Sequence, residues 1–118
     1  MARKEQKDIK ERVYIAGPYT DPEQEENTWK AIGVANQVAE MGFIPFVPHL
    51  TYYFHQLIPH EYEFWMEQDE EWLKVCQKLV RIPGKSSGAD KEMALAKELG
   101  IEVYGLIEFF EKYGKKGL

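Results

Sequence analysis

The chain has 118 residues, about the length of one domain, and its 44% hydrophobic and 14% aromatic content excludes a disordered chain. Twenty Asp and Glu against 15 Lys and Arg give a formal charge of −5, the wrong sign for the basic footprint that a nucleic-acid backbone requires. The single cysteine, Cys76, excludes an intrachain disulfide and a thiolate zinc cluster. No run approaches the roughly 18 apolar residues of a membrane span, and no apolar segment follows the charged N-terminus as in a signal peptide. The expected setting is therefore the cytoplasm.

Residues 1–11 are almost all polar with mixed charge and predict a flexible charged arm, leaving 12–118 as one domain. Val13-Tyr14-Ile15-Ala16, ended by Gly17-Pro18, predicts a strand buried on both faces. Asp21-Pro22-Glu23 is a helix start, and Trp29, Ile32, Ala35, Val38 and Ala39 recur at helical spacing until Met41-Gly42. Residues 43–48 predict a second strand, whose Pro45 favours a sheet edge. An aromatic loop or short helix covers 49–59, and a helix runs from about His60 to Val75. A third strand at 78–82 and a polar loop at 83–88 follow, then a helix over 89–99 that stops at Gly100. A fourth strand at 101–106 and an amphipathic helix at 107–113 complete the chain.

Strands alternating with helices predict a three-layer α/β fold of the flavodoxin/Rossmann kind, with a parallel sheet of four to five strands. Ligands of such sheets bind beyond the carboxyl ends of the strands, near a switch in strand order. Four segments lie there: Gly17–Asp21, Pro48–Pro59, Arg81–Gly88 and Gly105.

Two acids are out of place within this pattern. Asp69 lies three, four or seven residues from Trp65, Met66, Trp72, Leu73 and Cys76, in the middle of what reads as a core-facing stripe. Glu92 shares a helix face with Leu95, Ala96 and Leu99. A carboxylate on such a face is costly unless it is paired or lines a cavity. Singly, each has a structural explanation, as a paired Asp or as a Glu stabilised by the helix dipole. Together, flanking the third strand, they can divide the work of glycosidic chemistry, one as nucleophile and the other as acid or hydrogen-bond partner. Ser87 with Asp90 three residues on predicts a capping box, leaving Ser86 and the Gly88 backbone free to face a ligand such as a phosphate. Tyr19, Tyr52, Tyr53, Phe54 and Trp65 supply rings for a nucleobase, and His49 and His55 could stack on one or hydrogen-bond to it.

The segments Val13–Tyr19, Glu67–Leu73 and Ser86–Glu92, the last followed by Ala94 and Ala96, resemble the nucleoside 2-deoxyribosyltransferase superfamily. The likeness spans roughly residues 12–105, and the nearest branch is the 2′-deoxynucleoside 5′-monophosphate N-glycosidases. It implies that Glu92 is a nucleophile attacking C1′, that Asp69 helps protonate the leaving base, and that Tyr14 orients Glu92. It places Ser86, Ser87 and Gly88 in a loop that holds a 5′-phosphate, with Gly17 and Tyr19 in the first loop and His49 on the substrate side. It implies a nucleoside or nucleotide substrate, no metal or organic cofactor, and at least a homodimer whose second chain completes the pocket. Gln77 departs from the Asp usual at its position, Asp90-Lys91 from small or aromatic residues, and Gly17-Pro18-Tyr19-Thr20 from an Arg-Gly-Gly loop. The expected function is cleavage or transfer at an N-glycosidic bond; the alternative is a catalytically silent nucleotide-binding module. A phospho-receiver domain is disfavoured, because Gly17-Pro18 and Arg81-Ile82-Pro83 stand where its acidic residues belong.

Overall fold

The computed structural model describes residues 10–20 and 23–114. Four strands, β1 (Arg12–Ala16), β2 (Ile44–Phe46), β3 (Lys78–Arg81) and β4 (Glu102–Gly105), pair in parallel in the order β2-β1-β3-β4. Helices α1 (Gln24–Glu40), α2 (Thr51–Leu57), α3 (Tyr62–Leu73), α4 (Ser87–Glu98) and α5 (Leu106–Tyr113) connect and cover them. Of the expected arm, only Lys10 and Glu11 fall among the described residues, and the helix start at Asp21-Pro22 lies outside them.

Side chains alternate across a strand, and β1 uses both faces. Val13 and Ile15 join Ala31, Val34, Ala35 and Val38 of α1 and Phe109 of α5 in one core cluster. Tyr14 and Ala16 join Leu73 of α3 and Ala89 and Ala96 of α4 in the other. The result is the expected three-layer architecture with a four-stranded parallel sheet. The chain moves from β1 to one neighbour through α1 and later to the other through α3, so the order switches between β1 and β3. The strand ends there open onto a crevice. As Pro45 foretold, β2 is an edge strand.

Several local expectations need correction. On α1 the buried stripe is Thr28, Ala31, Val34, Ala35 and Val38, while Trp29, Ile32 and Ala39 are exposed. Small side chains let the helix lie close to β1, and the indole of Trp29, about 100° away around the helix, is left outside. Trp72 also faces out and stacks on Phe46, with ring centroids 5.2 Å apart; Leu73 and Cys76 fill the core beneath. Leu99 is exposed too, one position before Gly100, whose φ of +77° ends α4 as expected. The aromatic segment after β2 forms a 3-10 turn at Pro48–Leu50 and then α2, and α3 is a separate, shorter helix.

Gln77 has a plain structural task. Its Oε1 accepts from the backbone N of Arg12 at 2.7 Å and its Nε2 donates to the Val75 carbonyl at 3.3 Å, joining the starts of β1 and β3. No helix among the described residues is long and apolar enough to cross a membrane.

Candidate active site

A cleft of about 450 Å³ opens beyond the carboxyl ends of β1 and β3. Three of the four expected segments build it: Gly17, Tyr19 and Thr20 after β1, Pro48, His49, Thr51 and His55 after β2, and Lys85 to Gly88 after β3. Gly105 takes no part, because it leads straight into α5, its N–H bonded to Glu108 Oε1 at 3.1 Å. Asp69 from α3 and Glu92 from α4 both line the cleft. Tyr14 lies fully buried beneath it.

Glu92 is held from below. The Tyr14 hydroxyl donates to its Oε2 at 2.6 Å, a bond between residues 78 positions apart that fixes the carboxylate over β1. Burial pushes the Glu92 carboxyl up to about 7, against the lowering effects of the Tyr14 bond and the Arg81 charge. Asp69 is pushed further, to about 8, by burial first and then by the negative charge of Glu92. Tyr14 moves well above its ordinary value through burial and the neighbouring carboxylates, so it remains a donor. Among the described residues no hydrogen bond or ion pair satisfies Asp69. Both carboxyls on this cleft are thus raised, by burial in each case and for Asp69 also by the charge of Glu92, so the pair favours sharing a proton near neutrality.

The loop after β3 departs from expectation. Ser86, extended at φ −163°, is the helix cap: its Oγ accepts from the Ala89 N–H at 3.1 Å, and Ser87 is the first helical residue. Asp90 is not part of a capping box, since its carboxylate pairs with Arg81 at 2.9 Å. Arg81 also donates to the carbonyls of Ile82 and Gly84, bracing the loop against the helix. Ser86 is thus engaged as an acceptor, and the N–H groups of Ser87 and Gly88 at the start of α4 remain on the cleft wall. Gly84, at φ +128°, lies so close to Pro18 that a Cβ there would sit 2.6 Å from its ring, locking the first and third loops together.

His49 is buried, and its Nε2 donates to the Pro18 carbonyl at 2.9 Å. Burial lowers its pKa, so the ring stays neutral. Its edge meets Tyr19 at 5.8 Å between centroids, which fixes the outer wall of the first loop. Glu92, Asp69, Gly17, Tyr19, His49, Ser86, Ser87 and Gly88 therefore line the cleft, with Tyr14 directly below it; of the rings expected for a base, Trp65 lines it, Phe54 lies in the neighbouring groove, and Tyr52 and Tyr53 line neither. Sequence reasoning passed over Gln24, Thr51, His60, Tyr62, Met66 and Lys85, which also line it. Lys85 lies inside the named Arg81–Gly88 segment, but nothing in the spacing pointed to Tyr62, which reaches the cleft from the first turn of α3. Among the described residues no group of three or more His, Cys, Asp or Glu is placed to hold a metal ion.

A family model described as a domain of unknown function, DUF7768, matches residues 11–105. The chain belongs to the DUF7768 family. Both acids, Tyr14 and the Ser86–Gly88 loop fall inside the DUF7768 match. None of the curated proteins matches the sequence. Among solved structures, this DUF7768 chain is similar to a 2-deoxyribosyltransferase from the psychrotolerant bacterium Bacillus psychrosaccharolyticus. That pair has 23% identity and a TM-score of 0.57, covering 80% of this chain and 70% of that one. A 2-desoxiribosyltransferase from Leishmania mexicana aligns at 18% identity and a TM-score of 0.59, over 92% of this chain and 74% of that one. At these identities the likeness is one of fold.

Proposed function

We propose that the protein cleaves or transfers at the N-glycosidic bond of a nucleoside or its 5′-monophosphate, through a covalent glycosyl ester on Glu92. The observation that carries this is the Glu92 carboxylate, buried at the cleft floor and aimed by the 2.6 Å bond from Tyr14. Its neighbour Asp69, pushed up to about 8 by burial and by the charge of Glu92, is the proton donor in this reading. The ionised Glu92 attacks C1′, the C1′–N bond breaks with its electron pair going to the base, and Asp69 gives that base its proton. Asp69, now a carboxylate, then takes a proton from water or from a second base as it attacks the ester and frees Glu92. The fold shared with 2-deoxyribosyltransferases supports glycosyl transfer from a nucleoside as the class of reaction.

A 5′-phosphate would sit against the N–H groups of Ser87 and Gly88, with Ser86 and Lys85 beside it and Gly17 opposite. His49 and Tyr19 shape the sugar side. We place the enzyme in the cytoplasm as a homodimer. A groove of about 400 Å³ beside β2, lined by Phe46, Leu50, Phe54, Trp65 and Trp72, gives a second copy an apolar seat next to Asp69. Sedimentation over a concentration series tests the dimer, and a monomer at every concentration contradicts it.

Chromatography of wild type incubated with a panel of deoxynucleosides and their 5′-monophosphates tests the function. Released or exchanged base from at least one of them is expected, and none from Glu92→Ala. No release by wild type together with tight nucleotide binding would instead establish the silent binding module.

A further inference from the structure

On the α2–α3 wall of the cleft, Trp65 sits among the rings of Phe54, His55, His60 and Phe64, with centroids 4.8 to 5.7 Å from its own. His55 is fixed in this cluster by one ring nitrogen. Its Nδ1 lies 2.8 Å from Trp65 Nε1 and 3.2 Å from the backbone N of His60. An indole N–H and a peptide N–H can only donate. Nδ1 therefore accepts both bonds and carries no proton, which puts the proton of the neutral ring on Nε2. Among the described residues nothing occupies that Nε2–H, and His55 lines the cleft with Trp65 and, one turn further along α3, Asp69.

If Asp69 hands its proton to the leaving base, the base lies against this wall. We propose that His55 is a specificity-determining residue whose Nε2–H donates to an acceptor oxygen on the edge of that base. The site then selects bases carrying an oxo group over those carrying an amino group at that edge, because an amino group would set N–H against N–H. The tautomer is locked by two donor-only partners, so the ring cannot reverse its role to suit an amino group. This inference rests on the glycosidic reading for the identity of its ligand, but the locked donor is a property of the wall itself.

The test compares kcat/KM for deoxyinosine with deoxyadenosine, and for deoxyuridine with deoxycytidine, or for the 5′-monophosphates of each. Wild type is expected to favour the oxo member of a pair about tenfold, the value of one well-placed hydrogen bond. In His55→Asn the side-chain oxygen can stand in for Nδ1 and keep the bonds to Trp65 and His60, while the outer donor is gone. The preference should then fall to near one, with the melting temperature retained. His55→Gln, whose amide reaches the Nε2 position, should keep part of it. A preference unchanged in His55→Asn, or a wild type that favours amino bases, overturns the proposal. Calorimetry with free hypoxanthine and free adenine decides the same point without turnover. Failure of the glycosidic reading would show separately, as no base release from any substrate.

Discussion

At the amino end of the sheet the buried ammonium of Lys78 lies 2.6 Å from Glu11 and 3.4 Å from Glu102, over the rings of Phe43 and Tyr113. At the carboxyl end two acids, Glu92 and Asp69, face one cleft with a tyrosine hydroxyl as their nearest support. Both ends bury charge, but their titration runs in opposite directions. Burial alone would lower Lys78, yet its bonds to Glu11 and its other partners hold it above its ordinary value; Glu102 is lowered by Tyr104 and Lys78. Glu92 and Asp69 are instead both raised, to about 7 and about 8. A charge cluster whose members satisfy one another holds a fold together. One whose members are each strained toward neutrality stores reactivity, and the cleft lies over that end only.

The contrast can be broken in several ways. The largest effect should come from Glu92→Gln, which keeps an acceptor for Tyr14 but removes the nucleophile: base release should fall by about a thousandfold or more in a chromatographic assay. The same change should stabilise the protein at alkaline pH. Glu92 and Asp69 have folded pKa values above their unfolded values near 4. Their contribution is therefore full below about pH 4 and is lost as pH rises through about 7 and 8. Thermal melts across that range should show the wild type declining and Glu92→Gln declining less, by on the order of 2 kcal/mol at pH 9.

Next in size, Asp69→Asn should cost about a hundredfold in kcat with neutral bases. It should cost far less with a cationic leaving base such as 7-methylguanine, which departs without a proton. Equal losses on both substrates would deny Asp69 its role as acid. A pH profile of kcat/KM should rise as Glu92 ionises near 7 and fall as Asp69 ionises near 8, giving a narrow optimum between them. Tyr14→Phe removes the bond that lowers Glu92. It should cost about tenfold and move the rising limb to higher pH. The smallest effect should come from Lys78→Met at the other end, with about 1 kcal/mol of stability lost by denaturant melts and kcat unchanged, since its carboxylate partners are exposed.

The strands and the two acids were legible because each broke or kept a period: Val13 to Ala16 as an unbroken apolar run, Asp69 and Glu92 as charges among apolar neighbours at helical spacing. Tyr14 could be tied to Glu92 only through the resemblance, since no spacing rule joins residues 78 positions apart. What stayed hidden depended on contacts across space. The spacing of Ser87 and Asp90 pointed to Ser87 as the cap, but Asp90 pairs with Arg81 instead and Ser86 takes the cap. Trp29 and Trp72 fit an apolar stripe by count, but the close seam of Ala and Val on α1 and the stack on Phe46 put them outside. The tautomer of His55 is set by an indole ten residues away on another helix.

Peptide mass spectrometry of enzyme quenched during turnover of a reactive deoxynucleoside or its monophosphate reads the central claim most directly. A deoxyribosyl adduct on the peptide bearing Glu92, absent from Glu92→Gln, is the expected result. Base release that proceeds with Glu92 unmodified, or that survives in Glu92→Gln, would contradict it.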